Sequence, residues 1–250
     1  MIIEYQRPKT IEAALKLLHR AEPVSLPMGG GTVLNQPTDE EYAVVDLQEL
    51  GLDALQVRGN HLIIGATLKL QRMLEDEATP QALRVVIQRE STYNLRQMAS
   101  VAGTLVSADG RSSFATAMLA LDASMIWLPG EEPIRLGEFY PTRKGSRRGK
   151  LVARVEIPTH VKFSYQDVAR TPADLPIVSA ALAVWPSGRT RLALGGFGKA
   201  PILAMDGPET HGLESAAQSA YAQAGDEWAS AEYRQEIAAI LARRCLEALK

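Results

Sequence analysis

The chain has 250 residues, 46% of them hydrophobic, and a formal net charge of −2 at pH 7. That length buries a substantial core, in one large domain or two to three small ones, and the near-neutral balance gives no basic field for nucleic acid or an anionic membrane. The single cysteine, Cys245, excludes an internal disulfide, an iron–sulfur cluster or a Cys-rich zinc site and fits a reducing, cytoplasmic setting.

Thr10 precedes Ile11, Ala14, Leu15 and Leu18, which recur at helical spacing, so Thr10 reads as the N-cap of a first helix. Residues 24–26 are a short strand candidate running into Pro27-Met28-Gly29-Gly30-Gly31-Thr32, and residues 42–47 form another apolar run containing Asp46. These pieces predict a small βαβ-like first lobe over residues 1–53. A second, α+β lobe is expected over residues 54–160. Its elements are a strand at 61–65, a helix opened by Thr67 through Leu74, and a helix at 80–88. An irregular glycine- and serine-containing stretch follows at 99–113, then a helical pattern at 114–121 and strands at 125–128 and 151–157.

The third lobe, residues 161–250, opens with strands at 161–168, 177–185 and 189–194. Turn residues such as Pro186-Ser187-Gly188 separate them and favour antiparallel pairing. It ends in a helix capped by Ser230. The stripe Ile237, Ile240, Leu241, Cys245, Ala248 and Leu249 makes Cys245 a core residue. No run approaches 18 uninterrupted apolar residues, the start lacks the pattern of a signal peptide, and the four histidines are scattered, so neither a membrane span nor a metal site is expected. The basic run Arg143-Lys144-Gly145-Ser146-Arg147-Arg148-Gly149-Lys150 reads first as a solvated loop and second as a docking contact.

Two segments can carry chemistry. In Met28-Gly29-Gly30-Gly31-Thr32-Val33, three consecutive glycines remove every Cβ from one piece of backbone, which lets N–H groups converge on an anion. The spacing fits neither a Walker A loop nor a dinucleotide fingerprint. The second segment, Ala99-Ser100-Val101-Ala102-Gly103-Thr104, supplies small residues and hydroxyls and reads by itself as a loop. The two lie about 70 residues apart in different expected lobes, an arrangement that clamps a long ligand. Replacing Gly30 with valine is then expected to abolish ligand retention while leaving the fold. No nucleophile elbow, zinc-protease motif or other catalytic constellation is visible, so any chemistry would belong to a bound cofactor. Asp46, Asp109 and Asp174 read as caps, turn residues or solvated acids.

Taken in order, several segments resemble the FAD-binding subunit of the molybdenum hydroxylases, as in the medium subunit of carbon monoxide dehydrogenase and the flavin domain of xanthine dehydrogenase. They are the opening Tyr5-Gln6-Arg7-Pro8, the loop Met28-Gly29-Gly30-Gly31-Thr32, Val45-Asp46-Leu47, and Ile63-Ile64-Gly65-Ala66-Thr67. The segments at 99–104, Arg170-Thr171-Pro172-Ala173-Asp174 and Ser230-Ala231-Glu232-Tyr233-Arg234 follow. The resemblance implies a two-lobed FAD-binding fold followed by a C-terminal antiparallel sheet with helices, α+β overall. It implies FAD bound by Met28, Gly29, Gly30, Gly31, Thr32, Val33, Ala99, Ser100, Gly103, Thr104 and Ser113. It also implies partners: a molybdopterin-binding large subunit and a 2Fe–2S small subunit that feeds electrons to the flavin. Ala102, Thr104 and Ser113 stand where the family usually has Gly, Asn and Asp, and Arg111 stands among residues that are usually small. These departures support the alternative of a flavin-free scaffold or assembly subunit with the same fold. A free-standing flavin oxidase fits less well, since no histidine or cysteine for covalent flavin attachment stands near the glycine loops.

Overall fold

The computed structural model describes residues 1–143, 148–171 and 173–250. The middle of the basic run, residues 144–147, and Pro172 of the resemblance motif lie outside them. In chain order the elements are β1 (Ile2–Gln6), α1 (Ile11–His19), β2 (Ser25–Met28), β3 (Tyr42–Asp46), β4 (Leu55–Arg58), β5 (His61–Gly65) and α2 (Leu70–Glu75). Next come α3 (Gln81–Glu90), α4 (Tyr93–Met98), α5 (Val101–Ser107), α6 (Ser113–Ala120), β6 (Ser124–Leu128), β7 (Glu132–Arg135), α7 (Leu136–Thr142) and β8 (Leu151–Pro158). The chain continues with β9 (Lys162–Val168), β10 (Val178–Val184), β11 (Thr190–Gly195), β12 (Ile202–Gly207), α8 (Leu213–Ala220) and α9 (Ala231–Glu247). Mixed helix and antiparallel sheet make this an α+β protein, as the sequence implies.

The described residues divide into two compact units. The first comprises Met1–Ala78, Tyr93–Ser107 and Ser124–Glu156; the second comprises Thr79–Thr92, Ala108–Ala123 and Ile157–Lys250. In the first unit a three-stranded sheet has the order β1-β3-β2, with β1 and β2 both parallel to β3. The middle strand is buried along its whole length, which is why Tyr-Ala-Val-Val reads as a continuous apolar run. Helix α1 starts where the Thr10 side chain accepts from the Ala13 N–H at 3.2 Å. It lays Ala14 and Leu18 against Val45, Leu47 and Leu151. A leucine buried this completely contributes about 1.5–3 kcal/mol relative to leaving it in water. A five-stranded sheet, β4-β5-β8-β6-β7, completes the unit. Its edge strand β7 contains Pro133, which an edge position tolerates.

The second unit is built on the antiparallel sheet β12-β11-β10-β9. Val178, Ala180, Leu182, Leu192 and Leu194 join Leu213, Tyr221, Leu241 and Cys245 in one core, and α9 packs on β9 and β10. Helix α6 packs on β10 and β11 too, with all eight of its residues buried. A helix covered all round needs no polar face, and its sequence, Ser-Phe-Ala-Thr-Ala-Met-Leu-Ala, has none. Burial pushes the Cys245 thiol up to about 12, so this residue is inert core, as its place on the apolar stripe predicts.

Two boundaries differ from the sequence reading. The helix expected to open at Thr67 begins at Leu70, because the backbone before it is bonded elsewhere: Leu68 C=O accepts from Val101 N–H at 2.9 Å and Lys69 forms an antiparallel bridge with Ser100. The stretch 99–113, expected to be irregular, contains α5 and the start of α6. Thr104 and Ser107 return their hydroxyls to the carbonyls of Ser100 and Gly103, four residues earlier, which satisfies these polar side chains within the helix. The Ser112 hydroxyl accepts from Ala115 N–H and caps α6.

Arg234 on α9 is 0% exposed. Its guanidinium donates to Asp226 at 2.8 Å and to the carbonyls of Ala224, Ala229 and Ile177 at 2.6, 3.2 and 3.2 Å. Asp226 is exposed, so the cost of losing the guanidinium falls on the buried carbonyls it serves, at about 1–3 kcal/mol for a buried group left unsatisfied. Arg234→Met is therefore expected to lower unfolding stability by about that amount in urea denaturation; a loss below about 1 kcal/mol would contradict the assignment of this residue as the clasp of the second unit.

Candidate functional site

Strand β2 delivers the chain into the glycine turn. Leu47 N–H donates to Met28 C=O at 3.0 Å, after which the pairing with β3 ends and Gly29, Gly30 and Gly31 follow. Gly31 has φ +71°, a left-handed value that favours glycine. Gly29 and Gly30 are glycine for a different reason. A Cβ on Gly29 would lie 2.2 Å from Ser100 Oγ, and one on Gly30 would lie 1.8 Å from the Met98 carbonyl oxygen. The missing side chains let the second segment pack directly on the first. Among the described residues, the N–H groups of Gly29, Gly30 and Gly31 have no backbone acceptor. Their donors are available to a ligand.

The second segment is held just as firmly. Leu70 N–H donates to Ala99 C=O at 3.0 Å, Ala102 N–H to Ala66 C=O at 3.1 Å, and Gly103 N–H to Ser100 Oγ at 3.3 Å. Ala102, which replaces a glycine usual in the resembling family, lies inside α5 and has no positive φ. Its methyl group therefore strains no backbone.

The two segments face one cavity of about 190 Å³ in the first unit. Its lining includes Met28, Gly29, Gly30, Gly31, Thr32, Val33, Ser100 and Gly103. Three other expected site residues are placed elsewhere. Ala99 lies behind the wall with its backbone bonded to Leu95 and Leu70. Thr104 turns its hydroxyl to Ser100 C=O at 2.9 Å. Ser113 is fully buried in the second unit, accepting from the Tyr165 hydroxyl at 2.8 Å. The sequence reading missed the apolar contribution of Leu47, Trp127, Leu151 and Val152, and the floor made by Ala66 and Thr67. Thr67 was legible as a hydroxyl at the end of a strand; the others come from strand pairing across the sheet, which no local pattern reveals.

The fit to a flavin dinucleotide rests on these atoms. Thr67 Oγ1 is buried and has no hydrogen-bond partner among the described residues, so its hydroxyl is a polar group for which a ligand could supply the partner. Apolar walls suit a ring, and free glycine N–H groups suit a phosphate. Ordinary small-molecule pockets measure about 300–1,000 Å³, so an FAD would project beyond this cavity. Val33 and Val106 on its lining are 47% and 38% exposed and give the projecting part an apolar border.

Charge is arranged around the turn, not in the cavity lining. Asp46 at the end of β3 is 0% exposed. Burial alone would raise its carboxyl, but the Tyr5 hydroxyl, the Gln48 N–H and Arg7 together hold it below the ordinary aspartate value. Arg7 Nη2 approaches it to 2.7 Å. Lys69 Nζ donates to the Gly29 carbonyl at 3.0 Å.

The geometry revises the expectation that a bulky residue at Gly30 leaves the fold alone. Gly30→Ala already forces a methyl group into the Met98 carbonyl and is expected to cost about 1–3 kcal/mol through the displaced segments. At Gly103 an added Cβ meets only the Ser100 hydroxyl, at 2.7 Å, a side-chain end that can rotate. Denaturant midpoints should therefore fall further for Gly30→Ala than for Gly103→Ala; the reverse order would refute the packing of the two segments.

A family model described as "FAD binding domain in molybdopterin dehydrogenase" matches residues 1–160. The protein YgfM of Escherichia coli (strain K12) is 26% identical over 248 residues, covering 96% of this chain and 94% of YgfM. The carbon monoxide dehydrogenase medium chain of Afipia carboxidovorans is 24% identical over 280 residues, covering 99% and 96%. Among solved structures, reconstituted CO dehydrogenase from Oligotropha carboxidovorans superposes with a TM-score of 0.83 at 22% identity, covering 98% of this chain and 96% of that one, a likeness of fold. The chain belongs to the family of FAD binding domains of molybdopterin dehydrogenases, which are oxidoreductases.

Proposed function

We propose that the chain binds FAD in the cavity between the Gly29–Gly31 turn and the start of α5, and serves as the electron-transfer subunit of a molybdenum hydroxylase. One observation supports this most strongly: two segments some 70 residues apart in sequence pack together around unbonded glycine N–H groups and an unbonded Thr67 hydroxyl. In this reading the N–H groups of Gly29, Gly30 and Gly31 take the diphosphate, and Thr67 Oγ1 donates to a ligand oxygen. Leu47, Trp127, Leu151 and Val152 exclude water from the apolar part. Ala99, Thr104 and Ser113 act behind these residues or apart from them.

FAD, when bound, accepts electrons singly or in pairs, which a one-electron carrier and a two-electron acceptor both require. The chain contributes orientation and exclusion of water. Among the described residues no cluster of His, Cys, Asp and Glu is placed to hold a metal, so the electron source in this proposal lies in partner chains. By the family resemblance these are a 2Fe–2S small subunit and a molybdopterin-binding large subunit, in the cytoplasm. Among the described residues no helix is long and apolar enough to cross a membrane.

The test is purification of the native assembly at natural abundance, followed by a visible spectrum. Absorbance near about 450 nm, released on denaturation with one FAD per chain, is the expected result. An intact three-subunit assembly that releases no FAD on denaturation would favour the flavin-free scaffold. A lone, flavin-loaded chain that turns over an organic substrate by itself would favour an oxidase.

A further inference from the structure

Lys69 occupies a position that no glycine-loop motif specifies. Its ammonium donates to the Gly29 carbonyl at 3.0 Å, and its backbone pairs with Ser100. One residue thus grips both segments of the site, the first by its side chain and the second by its main chain.

The charge is needed there. Among the described residues the cavity lining includes no charged side chain. A diphosphate placed in it without a nearby cation would lose hydration with little return. Asp46, whose negative charge reaches Lys69, already pairs with Arg7 at 2.7 Å. Among the described residues Lys69 makes no ion pair of its own. Arg7 is shared between Asp46 and Glu49, the latter at 3.7 Å, so Lys69 is a cation bonded to the turn that, among the described residues, no carboxylate pairs with.

Its bonding partner matters as much as its charge. The Gly29 carbonyl and the Gly30 N–H are the two ends of one peptide group. A cation bonded to the oxygen draws electron density away from the nitrogen and makes that N–H a stronger donor, because linked hydrogen bonds polarise one another. An ammonium has three donors, and the Gly29 carbonyl uses one.

We infer that Lys69 is a positioning residue for a diphosphate: bonded to the Gly29 carbonyl, it strengthens the Gly30 N–H as an anion donor and supplies the positive charge that the cavity lining lacks. This inference rests on the FAD reading above. Burial lowers the affinity of Lys69 for its proton while the Asp46 charge raises it, so a further anion beside the turn would favour the charged form.

The experiment uses the full-length chain freed of flavin and titrated separately with FAD, ADP and riboflavin. FAD and ADP carry the diphosphate; riboflavin carries the ring without it. Lys69→Met is expected to weaken FAD and ADP about tenfold and leave riboflavin within about twofold. Lys69→Gln, which keeps a donor for Gly29 but loses the charge, should show the same split, and Lys69→Arg should restore most of the affinity. Unchanged FAD and ADP binding in the Met and Gln variants would overturn the inference. So would an equal loss for all three ligands, the result of a purely structural role. If the unsubstituted chain binds neither FAD nor ADP, the FAD reading itself falls, and the inference falls with it.

Discussion

At Gly30 the backbone of one segment lies so close to the Met98 carbonyl that a single methyl group would overlap it. Interiors pack without slack, so such a contact admits one residue type and fixes the relative position of everything attached to it. On one side it fixes β2 and, through the Leu47–Met28 hydrogen bond, β3 with the buried Asp46. On the other it fixes α4 and α5 and, through Ala66, Leu68 and Ala99, the turn from β5 to α2. The cavity exists because these pieces meet there. Its glycines are glycines first for this packing, and the free N–H groups follow from a turn whose backbone bonding has ended.

Around that contact the electrostatics are layered. Asp46 is buried and satisfied from three directions, by Tyr5, Arg7 and the Gln48 N–H. A buried carboxylate is tolerated only with such partners. It holds the end of β3, and Arg7 pairs both with it and with Glu49. Lys69, half-buried and bonded to a carbonyl and not to a carboxylate, is left as the positive element beside the turn. In the proposed reading the site presents neutral donors to a ligand, with the Lys69 charge one peptide away. Such an arrangement favours an anion without placing a solvated side chain in the cavity.

Much of this was legible in the chain. Thr10 announces its helix because a hydroxyl before an apolar 3.6-residue pattern satisfies an N-terminal N–H. The buried β3 reads as an unbroken apolar run, and the turns of the second unit announce antiparallel strands. The triple glycine marks the site. The boundaries of α2 and α5 were not legible, because hydrogen bonds between Leu68 and Val101 and between Leu70 and Ala99 decide them across a separation of about 30 residues. Helix α6 was legible as a helical pattern at 114–121, though its burial on every side was not. Lys69 was invisible for a simpler reason: a lysine after a strand looks like any solvated lysine until the Gly29 carbonyl is found in front of it.

The central claim is that the glycine turn is a backbone anion site. Amide shifts of a uniformly ¹⁵N-labelled, flavin-free chain, followed during ADP titration, test it without reference to catalysis or to partner chains. The account predicts that the N–H signals of Gly29, Gly30 and Gly31 move downfield together, saturating at one ADP per chain, with Gly30 moving most. Saturable ADP binding that leaves those three signals in place while shifting others would contradict it.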